Sequence, residues 1–307
     1  MQAGRPEPVA ALDCGTNSTR LLIDVSGRAE VRLMRITRLG QGVDATGKLD
    51  PDAIARTLDV LREYRGVMDE HEVARARLVA TSAARDAANG AEFLDAASEV
   101  VGVPAELLSG SEEGALAFSG ATASLDADPA RVVTIDIGGG STELVMASPE
   151  LRAISLEIGC VRLTERFLHH DPPQADELAR AAAYVQRELD QVAVALPALG
   201  RPGLLLVGLA GTVSTLGALA QGLSHYERDR IHHFVLEGSV VTQWYRRLAA
   251  ETPAARVRHP GMAPGREDVI VGGVIVLRET MARFGFSSCL VSEADLLDGL
   301  VATLRGR

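Results

Sequence analysis

Cysteine is scarce: Cys14, Cys160 and Cys289 are the only three in 307 residues. Far apart and odd in number, they argue against both a disulfide framework and a zinc site, and they suit a reducing, cytoplasmic setting. Long apolar runs are missing too. Stretches such as Gly203 to Leu209 fall far short of the roughly 18 residues that cross a bilayer, and the N-terminus lacks a basic flank followed by an apolar run, so neither export nor membrane insertion is expected. Positive charge is in deficit, with 31 Lys and Arg against 41 Asp and Glu, a net −10. That balance excludes broad, salt-driven wrapping of nucleic acid. Lysine is almost absent, Lys48 being the single one. A polyanion can still be held locally, by a few arginines, backbone N–H groups and a divalent cation.

What is present is the composition of an ordinary globular chain, 47% hydrophobic and 23% charged, without a long low-complexity tract. Its length, about twice that of a typical domain, favours two domains sharing a cleft. Val9 to Asp13 and Leu21 to Val25 read as two strands of a hairpin around a small polar turn. Asp50-Pro51 starts a helix in which Ile54, Leu58, Leu61 and Met68 recur at helical spacing through His71. Leu78 to Thr81 reads as a strand, Asn89 to Val101 as a helix stopped by Gly102, and Ser111 as the opening of another helix with Glu112 and Glu113 in its first turn. The Ala/Ser/Asp/Pro stretch Ala121 to Ala130 marks a boundary, giving domains of 1–125 and 126–307. Beyond it come strands Val132 to Asp136 and Leu144 to Ala147, a helix near Asp176 to Val194 and a strand Leu204 to Val207. Further helices follow up to about Leu219 and over Arg266 to Phe284, then a strand Cys289 to Ser292. A closing helix from Ala294 has the option of packing back on the first domain.

The second hairpin repeats the first. Asp13, Gly15, Ser18 and Thr19 recur 123 residues later as Asp136, Gly138, Ser141 and Thr142, a domain-sized offset that indicates a duplication rather than a repeat array. A carboxylate at a strand end, glycines that let the backbone approach closely, then a hydroxyl is the pattern of a phosphate-binding turn with a coordinated metal. Ordinary hairpin turns use the same residue types, but unrelated turns have no reason to agree in this way. The candidate phosphate contacts are therefore Gly15, Thr16, Asn17 and Ser18 in the first turn and Gly138, Gly139, Gly140, Ser141 and Thr142 in the second. Asp13 and Asp136 stand at the metal positions, and Gly211 and Thr212 mark a third turn, after Leu209.

Other motifs divide. Gly42 to Lys48 nearly matches a Walker loop, but Leu49 stands where a Mg²⁺-ligating hydroxyl must be and the helix at Pro51 starts too late. Glu112 and Glu113 are either paired functional carboxylates or solvated acids that complete a cap. Arg85-Asp86 is either a phosphate clamp or a surface ion pair. The His169-His170-Asp171 and His232-His233 groups lack metal-ligand spacing, and Cys14 reads as a packing residue.

Taken together, ALDCGTNSTRLLI, VATSAARDAANGAEFL, SGSEEGALAFSGA, IDIGGGSTELV, EIGCVRLTERFL with DPP, VGLAGTVSTLGALA and VSEADLLDGL resemble, in order, the exopolyphosphatase and guanosine pentaphosphate phosphohydrolase (Ppx/GppA) phosphatases. The resemblance implies an α/β protein of two actin-like, ribonuclease-H-like domains with the substrate in the cleft between them. It implies Glu113 as general base, Asp136 and Glu143 as the acidic pair serving Mg²⁺ and the attacking water, and Arg85 as a phosphate ligand. Arg20 and Arg266 match arginines placed near a nucleotide, and a homodimer is common among members. Ala115 departs from the EEAR pattern, and the chain ends at Arg307 without the helical domains with which longer members grip extended polyphosphate. The leading expectation is Mg²⁺-dependent release of orthophosphate from inorganic polyphosphate, with guanosine pentaphosphate hydrolysis as the alternative. An actin-like kinase and a non-catalytic polyphosphate or alarmone binder are the competing classes.

Overall fold

Val9–Cys14 (β1) and Val132–Ile137 (β6) are buried at every position, as expected of strands covered on both faces. Each is the central strand of its own sheet. The computed structural model describes residues 7–306, and they pack into two units, one running to Gly120 and taking back the chain from Leu296, the other Ala121–Asp295.

In the first unit β1 is followed by β2 (Ser18–Val25), β3 (Arg28–Ile36), the one-turn helix α1 (Val43–Thr46), α2 (Pro51–Glu70), β4 (Arg75–Ala80), α3 (Ser82–Asp86), α4 (Gly90–Val101), β5 (Ala105–Leu107) and α5 (Gly110–Thr122). The sheet order is β3-β2-β1-β4-β5, antiparallel across the hairpins and parallel from β1 through β4 to β5. Helix α2 starts where the sequence indicates. The Asp50 carboxylate accepts the N–H groups of Asp52 and Ala53, and Pro51 fills the first turn, where its missing N–H costs nothing. Sequence reasoning places no strand at β3. The strand lies at the sheet edge, where Arg28, Glu30 and Arg32, alternating with Ala29, Val31 and Leu33, are what an edge strand tolerates.

The second unit continues with β7 (Thr142–Met146), β8 (Arg152–Leu156), α6 (Cys160–Phe167), α7 (Ala175–Ala195), β9 (Leu205–Leu209), α8 (Ala210–Gln221), α9 (Arg228–Ile231), β10 (Val235–Glu237), α10 (Gly238–Ala250), α11 (Pro253–Arg256), α12 (Ile270–Phe284) and β11 (Ser288–Val291). Read from β8, its order is β8-β7-β6-β9-β11-β10. The first five strands repeat the order of the first sheet with the same senses, and β10 is added antiparallel at the edge. Two sheets of this order make each unit ribonuclease-H-like and the chain actin-like in fold. The last helix, α13 (Leu296–Leu304), packs on β1, β2 and β4 of the first unit. Its approach to α5 depends on Gly299, where a Cβ would lie 2.0 Å from the Leu116 carbonyl oxygen.

The near-Walker segment turns out to be that single turn of helix, α1. Gly42 and Gly47 bound it in the left-handed region, at φ 73° and 66°, and glycine enters that region without a Cβ penalty. No helix among the described residues is long and apolar enough to cross a membrane.

Candidate active site

The two hairpin turns close with one and the same hydrogen bond. Gly15 N–H donates to the Ser18 carbonyl at 3.0 Å, and Gly138 N–H donates to the Ser141 carbonyl at 3.0 Å. The duplication in the letters is thus a duplication in geometry.

Both turns are also gripped from behind, by the segment after the third strand of each sheet. In the first unit the Thr16 carbonyl accepts Gly40 N–H at 2.9 Å, and the Asn17 carbonyl accepts Thr37 and Arg38 N–H at 3.2 and 3.0 Å. In the second unit the start of α6 does the holding. Cys160 N–H donates to Gly138 O, and Val161 and Arg162 N–H donate to Gly139 O, at 2.9 to 3.1 Å. Gly40 and Gly159 make this contact possible, since a Cβ at either would lie 2.3 Å from Thr16 or 2.2 Å from the Gly139 oxygen. Sequence reasoning misses both glycines, although Gly159 directly precedes α6 and Gly40 lies in the short loop between β3 and α1.

The chemistry of the two hairpins differs at one position. Asp13 faces Arg20 across β1 and β2, whereas Asp136 faces Glu143 across β6 and β7, the same place in the repeat. Arg20 Nε and Nη2 donate to one Asp13 oxygen at 3.0 and 2.8 Å, so the first carboxylate is already balanced by a guanidinium. The second hairpin instead holds two acids on directly paired residues, 8% and 1% exposed, with Ser155 Oγ donating to Glu143 at 2.7 Å. Like charges paired across strands repel, and burial sharpens the cost. A hard divalent cation relieves it, and Mg²⁺ typically takes one or two carboxylates with phosphate and water oxygens completing the shell. The donor set of the second hairpin fits that ion. Among the described residues no three His, Cys, Asp or Glu side chains gather at one point.

Thr142 is fully buried and its hydroxyl donates to the Ile158 carbonyl. Its counterpart Thr19 is equally buried and shares a 2.9 Å hydrogen bond with Thr37. Both tie a hairpin to the chain beyond its third strand.

Arg85 and Glu113, which sequence left ambiguous, are brought together in the first unit. Arg85 Nη1 donates to the Leu108 carbonyl at 2.8 Å and lies 3.7 Å from a Glu113 carboxylate oxygen. Asp86 instead accepts from Ser82 Oγ. The two acids at the start of α5 separate in role. Ser109 Oγ and N–H donate to Glu112 at 2.6 and 2.9 Å and the Ser109 hydroxyl accepts Glu112 N–H, a capping box. These bonds hold the Glu112 carboxyl below its ordinary pKa. Glu113, with a side chain only 12% exposed, is turned toward Arg85.

In the second unit Gly211, Thr212 and Arg266 also converge. Helix α12 begins at Ile270 rather than Arg266, which leaves the arginine on the preceding loop. Its guanidinium lies over Gly211, where a Cβ would come within 1.9 to 2.1 Å of three of its atoms. Ala210, just before, holds a left-handed φ of 64°, a costly conformation for a non-glycine residue. Gly273 of α12 packs on Thr212, with a Cβ position 2.2 Å from Oγ1. Cys160 joins this group to the turn, sensing Arg266 and Thr212 while its amide holds Gly138. Burial raises the pKa of all three thiols, that of Cys289 to about 12, so none is a ready nucleophile. His170 pairs with Glu177 at 2.9 Å and His232 stacks on His233.

Residues 29–305 match the Ppx/GppA phosphatase family. The chain is 45% identical over 320 residues to exopolyphosphatase 2 of Mycobacterium tuberculosis, covering 97% of this chain and 98% of that protein. The crystal structure of an exopolyphosphatase-like protein superposes with a TM-score of 0.91 at 36% identity, covering 98% and 99% of the two chains. The Aquifex aeolicus Ppx/GppA family member does so with a TM-score of 0.80 at 33% identity, covering 98% and 99%.

Proposed function

The chain belongs to the Ppx/GppA phosphatase family, and from that premise we propose that it hydrolyses terminal phosphoanhydride bonds, releasing orthophosphate from inorganic polyphosphate with Mg²⁺. The observation that carries the reading is the matched pair of turns, closed by the same hydrogen bond, of which one bears the buried Asp136–Glu143 pair. Near-complete alignment with a relative named exopolyphosphatase supports the substrate class.

Hydrolysis of a phosphoanhydride leaves a protein little covalent chemistry to do; it must align water and offset developing charge. Glu113 takes the role of general base, orienting water and accepting its proton. Arg85, fixed by the Leu108 carbonyl, supplies a guanidinium to phosphate oxygens beside that base. The amides of the two turns cradle phosphate oxygens, as rows of backbone N–H groups do elsewhere. Asp136 and Glu143 would hold Mg²⁺, which would supply positive charge to offset that developing on the phosphoryl oxygens. Asp13 acts through Arg20, as an anchor for the first hairpin. The enzyme is proposed to work in the cytoplasm as a homodimer.

Guanosine pentaphosphate is the related substrate, favoured by the placement of Arg266 on Gly211. The test is phosphate release from short polyphosphate, long polyphosphate, guanosine pentaphosphate and ATP, with Mg²⁺ and with chelator. Release from polyphosphate without any acceptor supports the proposal and separates it from a kinase. Tight polyphosphate binding without turnover sinks it.

A further inference from the structure

The grip on the second turn has one feature that the first lacks. All the contacts holding Thr16 O and Asn17 O come from backbone N–H groups. In the second turn the Gly138 and Gly139 carbonyls are likewise held by backbone, but Gly140 O is held by a side chain, with Arg162 Nε donating at 2.7 Å. The same guanidinium reaches Glu157 through Nη2 at 2.8 Å, and its side chain is only 13% exposed.

Peptide geometry converts this grip into an arrangement of donors. The cis bonds among the described residues precede Pro149 and Pro172, so the peptides of the turn are trans. In a trans peptide the C=O and the following N–H point in opposite directions. With the oxygens of Gly138, Gly139 and Gly140 all drawn toward α6, the N–H groups of Gly139, Gly140 and Ser141 are turned away from it, side by side. Such a row of amides is an anion-binding concavity. The glycines allow the peptides to rotate either way, so something outside the turn must fix them.

We propose that Arg162 is a positioning residue for this turn, fixing the Gly140–Ser141 peptide so that Ser141 N–H completes the row of phosphate donors. Glu157 orients the guanidinium, whose rigid planar fork serves the carbonyl from Nε and the carboxylate from Nη2, whereas a lysine has to reach both from one flexible ammonium. The proposal rests on the reading of the turn as a phosphate loop.

The test uses the full chain with Arg162→Ala, Arg162→Lys and Glu157→Gln. Affinity for inorganic phosphate is measured by calorimetry, kcat and KM on short polyphosphate, and stability by urea unfolding. Removing a donor outright costs about 10²–10³-fold in rate; a donor that is kept but loosened should cost about tenfold in kcat/KM in Arg162→Ala. Phosphate affinity should fall in parallel, Arg162→Lys should lie between wild type and alanine, and Glu157→Gln, at a half-exposed position, should fall less in the same direction. Wild-type phosphate affinity and turnover in Arg162→Ala overturn the proposal. If that variant does not fold, wild-type values in both Arg162→Lys and Glu157→Gln overturn it equally. A wild-type protein that binds phosphate but leaves polyphosphate intact defeats the hydrolase reading, while the order of phosphate affinities still decides the role of Arg162. Absence of phosphate binding by wild type overturns the role itself.

Discussion

Gly159→Ala is the most exacting perturbation of the second turn, because the backbone there does not need glycine. Gly159 has φ −110° and ψ 167°, an extended conformation open to any residue, so the substitution carries no dihedral penalty. Its cost is steric. A Cβ would lie 2.2 Å from Gly139 O, 2.3 Å from Gly139 C and 2.5 Å from Gly140 N. Comfortable separations start near 3.5 Å, so the turn and the start of α6 must part by roughly 1 Å. No side chain can rotate to relieve this, since all three atoms are backbone and the turn is tied to α6 by the Cys160, Val161 and Arg162 amides. Overpacking of this kind costs about 1–3 kcal/mol of stability, read as a lower urea midpoint. Activity should suffer more, because a displacement of about 1 Å at a positioning element can lower the rate about 10²-fold. The assay is kcat/KM for phosphate release from short polyphosphate, with Gly200→Ala as control, since nothing lies within 4 Å of a Cβ there. A Gly159→Ala enzyme as active as wild type refutes the idea that the α6 grip sets the turn.

Glu113→Gln should lower kcat by roughly 10²–10⁴-fold with little change in KM; near-wild-type kcat removes Glu113 from the role of base. Asp136→Asn and Glu143→Gln should each raise the Mg²⁺ concentration needed for half-maximal rate, whereas Asp13→Asn, at a carboxylate already paired with Arg20, should act mainly on stability; identical Mg²⁺ titrations in all three and wild type contradict the placement of the ion. Glu177 has its pKa lowered from 4.5 to about 2, first by its hydrogen bond with His170 and then by backbone N–H groups of Gln174, His169 and His170. A depressed carboxylate stabilises the fold fully above its unfolded pKa and loses that contribution as pH falls through the folded value. The stability gap between wild type and Glu177→Gln should therefore be constant above about pH 5 and shrink toward pH 2, as followed by thermal unfolding; a gap unchanged by acid refutes the pairing.

The order of amino acids alone carries the duplication and its two hairpins. Asp13 and Asp136, with their glycines and hydroxyls at matching offsets, mark the turns, and apolar runs as short and continuous as VAALDC and VVTIDI mark buried central strands. These features are local, and local patterns survive in a one-dimensional reading. Edge strands and short connectors show less, because the alternation of Ala29, Val31 and Leu33 with Arg28, Glu30 and Arg32 in β3 runs for only six residues before Met34 breaks it, and the strand is largely solvated. Nor can sequence say which of two neighbouring acids turns inward. Glu112 and Glu113 have the same chemistry, and only the capping box with Ser109 and the 3.7 Å approach of Arg85 separate them. The identical place in the two hairpins holds an arginine in one and a glutamate in the other, but that difference gains meaning only from the strand register, which sets Arg20 against an acid and Glu143 beside one. The grip of Gly40, Gly159 and Arg162 on the turns likewise joins residues about 20 positions apart. Folding alone settles it, because a peptide's orientation depends on which partner reaches its carbonyl through space.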